Sequence, residues 1–331
     1  MRAAMSLAAL ALLACSRGDA PKAGPGPVPT AATPVTATAT ATAPAASASG
    51  PVVEPAGAEA AVYEKDPLVS AKAIGHTSVV LKLRFKSGKV AAFKPTSRRG
   101  GGRYRGEVAA YRLAQALGIG DRVPPAYVVQ LPGSALRAAL GDGAKLYDDE
   151  VLPGKSGNVQ GALIPWVEKL TFPPFEREPW IHRWKGWLTG GELPKGADAA
   201  LAGAFSILVM FDYLTANFDR FSGGNIGQTD QGILFIDNDG AFLPALHPEA
   251  QKKNEERLLA TRRFSRSFVA HLRELRDFPL GLSAVFGVDR EGAPLLAASV
   301  VEGVKTRLDK LVAHVEATHT AADSVDVEPF E

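Results

Sequence analysis

The sequence predicts an α+β chain of two lobes, a small β-rich lobe over residues 61–170 and a helical lobe over 171–320. Three observations carry this. Apolar and polar side chains alternate early, at 78–85 and 90–95. Apolar residues at helical spacing dominate from 198 onward. One helical pattern, at 105–119, interrupts the strands of the first part. Strands followed by helices, joined near 165–171, leave a cleft between the lobes as the natural place for a site.

Taken in order, order begins near Val62, and "SVVLKLRF" (78–85) and "VAAFKP" (90–95) flank an "SGK" turn, with Pro95 ending the second strand. In "RGEVAAYRLAQALGI" (105–119), Val108, Ala109, Leu113 and Leu117 share a helix face and Gly118 stops it. "YVVQL" (127–131) and "VQGALIPWV" (159–167) are further strands. "DAALAGAFSILVMFDYLTAN" (198–217) is apolar nearly all round and predicts a central buried helix. "GILFID" (232–237) follows as a strand, and amphipathic helical patterns cover 255–276 and 295–316. There is no internal repeat.

The first sixty residues are of another kind. Arg2 precedes an apolar run, Ala3 to Ala14, too short to span a bilayer, and "LLAC" ends at Cys15, the one cysteine of 331 residues. This resembles the lipobox of bacterial lipoproteins, with 1–15 as signal peptide and Cys15 as the lipidated residue, and it implies a protein anchored at the cell envelope, facing the periplasm or the surface. An ordinary signal peptide with an incidental cysteine is the other reading. Residues 16–60 are Pro, Ala, Thr and Ser with almost no large apolar side chain, a composition that cannot offset its ordering entropy and reads as a tether. Residues 321–331 read as a flexible tail. With no second cysteine, no internal disulfide supports the core. A net charge of +2 gives no reason to expect nucleic acid as a partner.

The residues that could do chemistry fall in two groups. Lys94 closes an apolar strand, where a lysine serves no packing purpose, and Glu107 opens the following helix. A strand lysine fixed by a helix glutamate can neutralise phosphate charge; an exposed strand-end lysine and a helix-start glutamate suited to the macrodipole is the plainer reading. Downstream, "NFDRFSGGNIGQTDQGILFIDNDG" (217–240) places Asp219 after the buried helix and Asp237 at the end of a strand. One carboxylate could accept a proton while the other, with an amide such as Asn225, holds a divalent cation; Asp239 is a competing ligand. An Asp/Asn/Gly turn explains the same residues, with Gly223 and Gly224 as slack in the loop. "SRRGGGRYRG" (97–106) reads as a strand-to-helix loop whose arginines could help hold phosphate. The six histidines show no metal spacing, and Trp180, Trp184 and Trp187 are spaced for one side of a packed helix.

The blocks "LKLRFKSGKVAAFKP", "RGEVAAYRLAQALGIGDRVPPAYVV", "FDYLTANFDR" and "FIDNDGAF" together resemble the secretory-pathway kinases, the Golgi casein kinase and its xylose-kinase relative. A more distant likeness reaches HipA-type and phosphatidylinositol kinases through "N-x-D-R". The resemblance implies a bilobal protein-kinase-like fold. It implies Lys94 as the phosphate-binding lysine, Glu107 as its partner, Asp219 as the catalytic aspartate and Asp237 as the metal aspartate, with Asp212 a structural brace. It further implies ATP or another nucleotide donor, Mg²⁺ or Mn²⁺, and a protein Ser/Thr or sugar hydroxyl as acceptor. Three features depart from the pattern: Asn225 lies six residues after Asp219 rather than five, the lid "AIGHTS" (73–78) has only Gly75, and the family's disulfides are absent. The thin lid and the shifted Asn225 point to the alternative of a pseudokinase that binds a nucleotide, a partner protein or a cell-envelope ligand without turnover.

Overall fold

The computed structural model describes residues 57–320 except His76 and Leu193. The expected signal peptide with Cys15, the tether up to residue 56, and the 321–331 tail lie outside the described residues.

The first part comprises helix α1 (Gly57–Lys65), strands β1 (Leu68–Ala73), β2 (Leu81–Phe85) and β3 (Val90–Pro95), helix α2 (Tyr104–Ala116), β4 (Tyr127–Pro132), helices α3 (Gly133–Leu140) and α4 (Ala144–Glu150), and β5 (Asn158–Pro165). The second comprises α5 (Trp180–Thr189), α6 (Ala197–Thr215), the hairpin β6 (Ile226–Thr229) and β7 (Gly232–Phe235), then α7 (Pro248–Ala260), α8 (Arg266–Arg276), α9 (Gly281–Phe286) and α10 (Ala298–Thr320).

The five early strands form one antiparallel sheet in the order β1-β2-β3-β5-β4. Its alternation follows from the period of two along each strand. Leu81, Leu83, Phe85, Ala91, Phe93, Val129 and Leu163 point to one side and are buried there with α3 residues Leu136 and Leu140. The paired positions Lys82, Ala92 and Ile164, and next to them Lys94 and Ala162, point to the other side. That second face looks toward the site.

Helix α2 joins the two parts. Val108, Ala109, Leu113 and Leu117, the face expected from their spacing, are all fully buried, and they pack into the same core as the late helices. At its start Gly106 is needed for close approach. A Cβ there would stand 2.6 Å from the carbonyl oxygen of Asn238 and 3.0 Å from that of Ala241. The glycine therefore lets α2 lie directly on the loop after β7.

The center of the late core is α6, buried from Ala202 to Thr215 apart from Ile207. By length and apolarity it could cross a membrane, but two-thirds of it is covered by the fold. Trp184 of α5 stacks on Phe205 at 4.9 Å, and its indole nitrogen donates to the Phe175 carbonyl. Phe211 meets Phe235 of β7 at 5.9 Å. The tryptophans of 179–187 thus pack as expected.

Three expectations need correction. The helical pattern over 255–276 is two helices, because residues 261–265 commit their polar groups elsewhere. Arg263 donates to the carbonyls of Trp187 and Gly191, Arg262 N to Leu188, and Ser265 caps α8 by accepting from Phe268 N. Order already begins in α1, ahead of Val62. Strand β1 was not expected at all, since it is an edge strand with almost no buried side chain and carries little pattern.

A substitution tests the α2 contact. Gly106→Ala should destabilise the chain by about 1–3 kcal/mol in urea unfolding, since backbone must shift to admit one methyl group. Gly186→Ala in α5, where a Cβ meets nothing within 4 Å, should be neutral or stabilising by up to about 1 kcal/mol.

Candidate functional site

Lys94 sits at the end of β3, 8 % exposed, with its ammonium directed across to the late part of the chain. Its Nζ lies 2.5 Å from Glu107 Oε1 on α2, 2.5 Å from Asp237 Oδ1 after β7, and 3.4 Å from Asp239 Oδ2. One cation therefore gathers three of the expected residues. Burial alone would push this lysine down, but the carboxylates of Asp237, Glu107 and Asp239 hold it well above the ordinary range. Burial pushes Glu107 up despite Lys94. Asp237 goes the other way: burial opposes its charge, yet Lys94, Arg220 and Arg103 hold it below the usual carboxylate range.

Arg103, in the loop before α2, supplies a second cation. Its Nη2 lies 2.7 Å from Asp239 Oδ1 and its Nε donates to the Asp239 carbonyl at 3.1 Å. The arginine-rich loop thus contributes a residue to the site itself, while the glycines around it make the turns.

Asp219 lies close by. A side chain at Gly240 would be tight, since a Cβ would stand 3.1 Å from the Cβ of Asp219 and from the Asn217 Oδ1. Burial, then the charges of Asp237 and Asp239, push the Asp219 carboxyl up. Its backbone N–H donates to Asn217 Oδ1 at 3.0 Å. Asn225 is buried, and its Nδ2 donates to the Asp219 carbonyl at 2.9 Å and reaches Asp219 Oδ2 at 3.5 Å. Its amide nitrogen is thus committed to the Asp219 loop. Gly223 and Gly224 hold φ at +117° and +77°. They are required by the turn rather than being slack.

Beneath these loops runs a frame that the sequence reading caught only in part. Arg220, 1 % exposed, reaches Asp212 through Nε at 3.1 and 3.2 Å, the Asn225 carbonyl at 2.8 Å, the Ile236 carbonyl, and Asn238 Oδ1 at 2.5 Å. Asn254 of α7 donates to the carbonyls of Asp212 and Asn217. The bracing role expected of Asp212 is thereby given a partner. Arg220 had no signal beyond its place beside Asp219, because its partners come from three separate stretches, Asp212, Asn225 and 236–238. Asp237 itself adopts φ +55°, and Ala216 and Phe242 also lie in the left-handed region. Such backbone is held only where surroundings over-determine it, and here it turns Asp237 toward Lys94.

In sum, four carboxylates, Glu107, Asp219, Asp237 and Asp239, face two cations, Lys94 and Arg103. Asp237 and Asp239 offer the oxygen donors a hard divalent cation requires, and two carboxylates completed by ligand phosphates is the ordinary way Mg²⁺ is held. No cluster of three or more His, Cys, Asp or Glu arranged for a metal occurs among the described residues. Beside Lys94, the sheet face displays Ala92 and Ile164, both partly exposed, and then Trp166 with Lys82 Nζ 3.7 Å over its ring.

An antiparallel sheet with a buried strand lysine, a helix glutamate, and two acidic loops held by a helical body defines a protein-kinase-like fold. Solved structures give it a narrower address. The chain has the fold of the Fam20-type secretory kinases: it superposes on the Golgi casein kinase crystallised with Mn/ADP at a TM-score of 0.61, 17 % identity, over 80 % of this chain and 76 % of that one. A second crystal structure of the Golgi casein kinase matches equally, at 0.61 and 17 % over 81 % and 76 %. Hydra Fam20 with sugar matches at 0.58 and 16 %, over 80 % of this chain and 89 % of that one. No protein-family model and no curated protein matches the chain by sequence.

The buried frame makes a pH prediction. Burial outweighs Arg220 and pushes Asp212 from an ordinary 3.8 up to about 6. The folded chain thus binds this proton more tightly than the unfolded one, so the contribution to stability is full below the unfolded value and is lost as pH rises through the folded value. The stability of the parent relative to Asp212→Asn should fall by roughly 3 kcal/mol between about pH 4 and about pH 7. Denaturant unfolding at stepped pH checks it, and a pH-independent difference would be inconsistent with a raised Asp212.

Proposed function

We propose that the chain is a metal-dependent, kinase-like phosphotransferase that moves a nucleotide phosphoryl group to a protein Ser/Thr or sugar hydroxyl. The observation that carries this is the gathering of Lys94, Glu107, Asp237 and Asp239 into one network, with Asp219 on the adjoining loop. The solved neighbours of this fold include a kinase holding Mn/ADP and a Fam20 holding sugar, which supports a nucleotide, a divalent cation and either acceptor class.

Each residue then has a physical role. Lys94, fixed by Glu107, neutralises phosphate charge, and Arg103 adds a second cation on the same side. Ala92 and Ile164 offer an apolar shelf for a base. Asp237 and Asp239 would hold the cation, which when bound neutralises charge on the transferred group. Asp219, its carboxyl raised by burial, orients the acceptor hydroxyl and accepts its proton. Little covalent chemistry is asked of the protein; positioning supplies most of the acceleration.

A second reading, a pseudokinase, is favoured by the place of Asn225, six residues after Asp219, and by the single glycine, Gly75, of the 73–78 segment. We further propose that the protein is an envelope lipoprotein, lipidated at Cys15 and tethered by residues 16–60, a reading supported by the N-terminal sequence.

With labelled ATP, Mn²⁺ and a panel of casein, peptides and sugars, the parent should transfer phosphate, while Asp219→Ala should be slower by at least about a hundredfold. Transfer by Asp219→Ala at the parent's rate would remove Asp219 from the mechanism. Nucleotide should raise the melting temperature only when metal is present; the same shift without transfer to any acceptor identifies the pseudokinase. In cells, Cys15→Ala should abolish incorporation of labelled fatty acid and release the protein from membranes, and unchanged labelling would refute the anchor.

A further inference from the structure

Away from the Lys94 network, the end of α6 and one side of α7 and α10 enclose a cavity of about 270 Å³. Its lining includes Tyr213 of α6, Gln251 and Glu255 of α7, and Thr306, Arg307 and Lys310 of α10. Arg307 is the unusual member. It is 7 % exposed, and its Nε donates to the Leu214 carbonyl at 2.8 Å. No carboxylate pairs with it among the described residues. Burial pushes it down to about 10, and the one group acting against that is Tyr213.

At neutral pH this remains a buried cation with no carboxylate partner, an arrangement that an anionic ligand would relieve. Nε is used on the backbone, so the two terminal nitrogens are what Arg307 presents to the cavity. Gly303 keeps them clear, since a Cβ at that position would stand 3.3 Å from Nη1. Lys310, one turn along the same helix face, adds an exposed ammonium. Burial raises the Tyr213 phenol, which stays a neutral donor. A guanidinium fork beside an ammonium and the neutral donors Tyr213 and Gln251 is the chemistry that recognises a phosphate group.

Two features narrow the ligand. The volume lies just below that of sites for drug-sized molecules, which suits a small ligand. Glu255 on the rim would repel a bare polyanion but accepts a hydrogen bond from a hydroxyl. We propose that this cavity is a second, non-catalytic site that binds a small phosphate monoester of a polyol, its phosphate on Arg307 and Lys310 and a hydroxyl at Glu255. The site adjoins the frame of the catalytic loop. Arg307 holds Leu214 O at the end of α6, and α7, which lends Gln251 and Glu255 to the cavity, also carries the Asn254 that holds Asp212 O and Asn217 O.

The test uses the full chain, thermal unfolding and titration calorimetry, with glycerol 3-phosphate and inorganic phosphate as probes and no nucleotide. Glycerol 3-phosphate should bind and raise the melting temperature, and more weakly so should inorganic phosphate. Lys310→Glu, an exposed change that leaves the fold intact, should weaken both by at least about tenfold, the loss of one charge-assisted contact. Arg307→Lys, which keeps the charge and removes the fork, should weaken both as well. Arg103→Ala, which removes a half-buried cation from the Lys94 site, should leave binding of these probes to the α6–α7–α10 cavity unchanged. No heat and no stabilisation at about 10 mM of either probe, a concentration at which even millimolar sites fill, would overturn the proposal. So would full binding in Lys310→Glu, or binding lost in Arg103→Ala and kept in Lys310→Glu, which places the ligand in the cleft.

Discussion

One buried ammonium ties together three parts of the chain that are far apart in sequence. Lys94 on β3, Glu107 on α2, and Asp237 with Asp239 after β7 meet within 3.4 Å of a single nitrogen. Ion pairs of this kind are poor sources of net stability, because desolvation consumes most of the attraction. They are severe constraints on geometry, however, since losing the cation would leave three carboxylates facing one another out of water. The packing therefore has to hold each element in place around it. Helix α2 does most of this: its apolar face is sunk in the late core while Glu107 on its first turn meets the sheet's lysine, and Gly106 removes the last obstacle to contact.

A second buried cation does for the two loops what Lys94 does for the lobes. Arg220 spends its donors on Asp212, Asn225 O, Ile236 O and Asn238, so one guanidinium touches α6, the Asp219 loop and the Asp237 loop together. Its planar fork permits this, with five N–H donors spread over three nitrogens where a lysine has three on one. Asp212 is pushed up toward 6 because the pair is fully buried, which indicates that the frame is bought with stability. The strained backbone at Ala216, Asp237 and Phe242 falls at the ends of the same loops.

How much of this could be read beforehand depends on whether a residue's partner is local. The strands β2 to β5 and helices α2, α5, α6 and α10 follow from periodicity, while the pairing of Lys94 with Glu107 was one of two open readings of the residues and was implied by the kinase resemblance. Asp219 and Asp237 were legible as a pair because a helix end and a strand end bracket them. Arg103 and Arg220 were not assignable, since nothing near either one names the acids they meet. The loop at 261–265 hid inside a good helical pattern, because what breaks it is the pull of carbonyls on and just after α5. Gly223 and Gly224 looked like slack, because a glycine's sequence context does not reveal a required positive φ.

The charge balance of the site then has a direct reading. Four carboxylates against Lys94 and Arg103 leave an excess of negative charge in a partly dehydrated place, and burial has already raised Glu107 and Asp219. The opposite shift at Asp237, which Lys94, Arg220 and Arg103 hold in its charged form, singles it out from its neighbours. Environments that push neighbouring carboxyls in opposite directions separate an acid that can take up a proton from one that stays ionised. Asp219 and Asp237 divide in that way, and the division comes from the surroundings: both are aspartates, eighteen positions apart, on loops held by the same arginine.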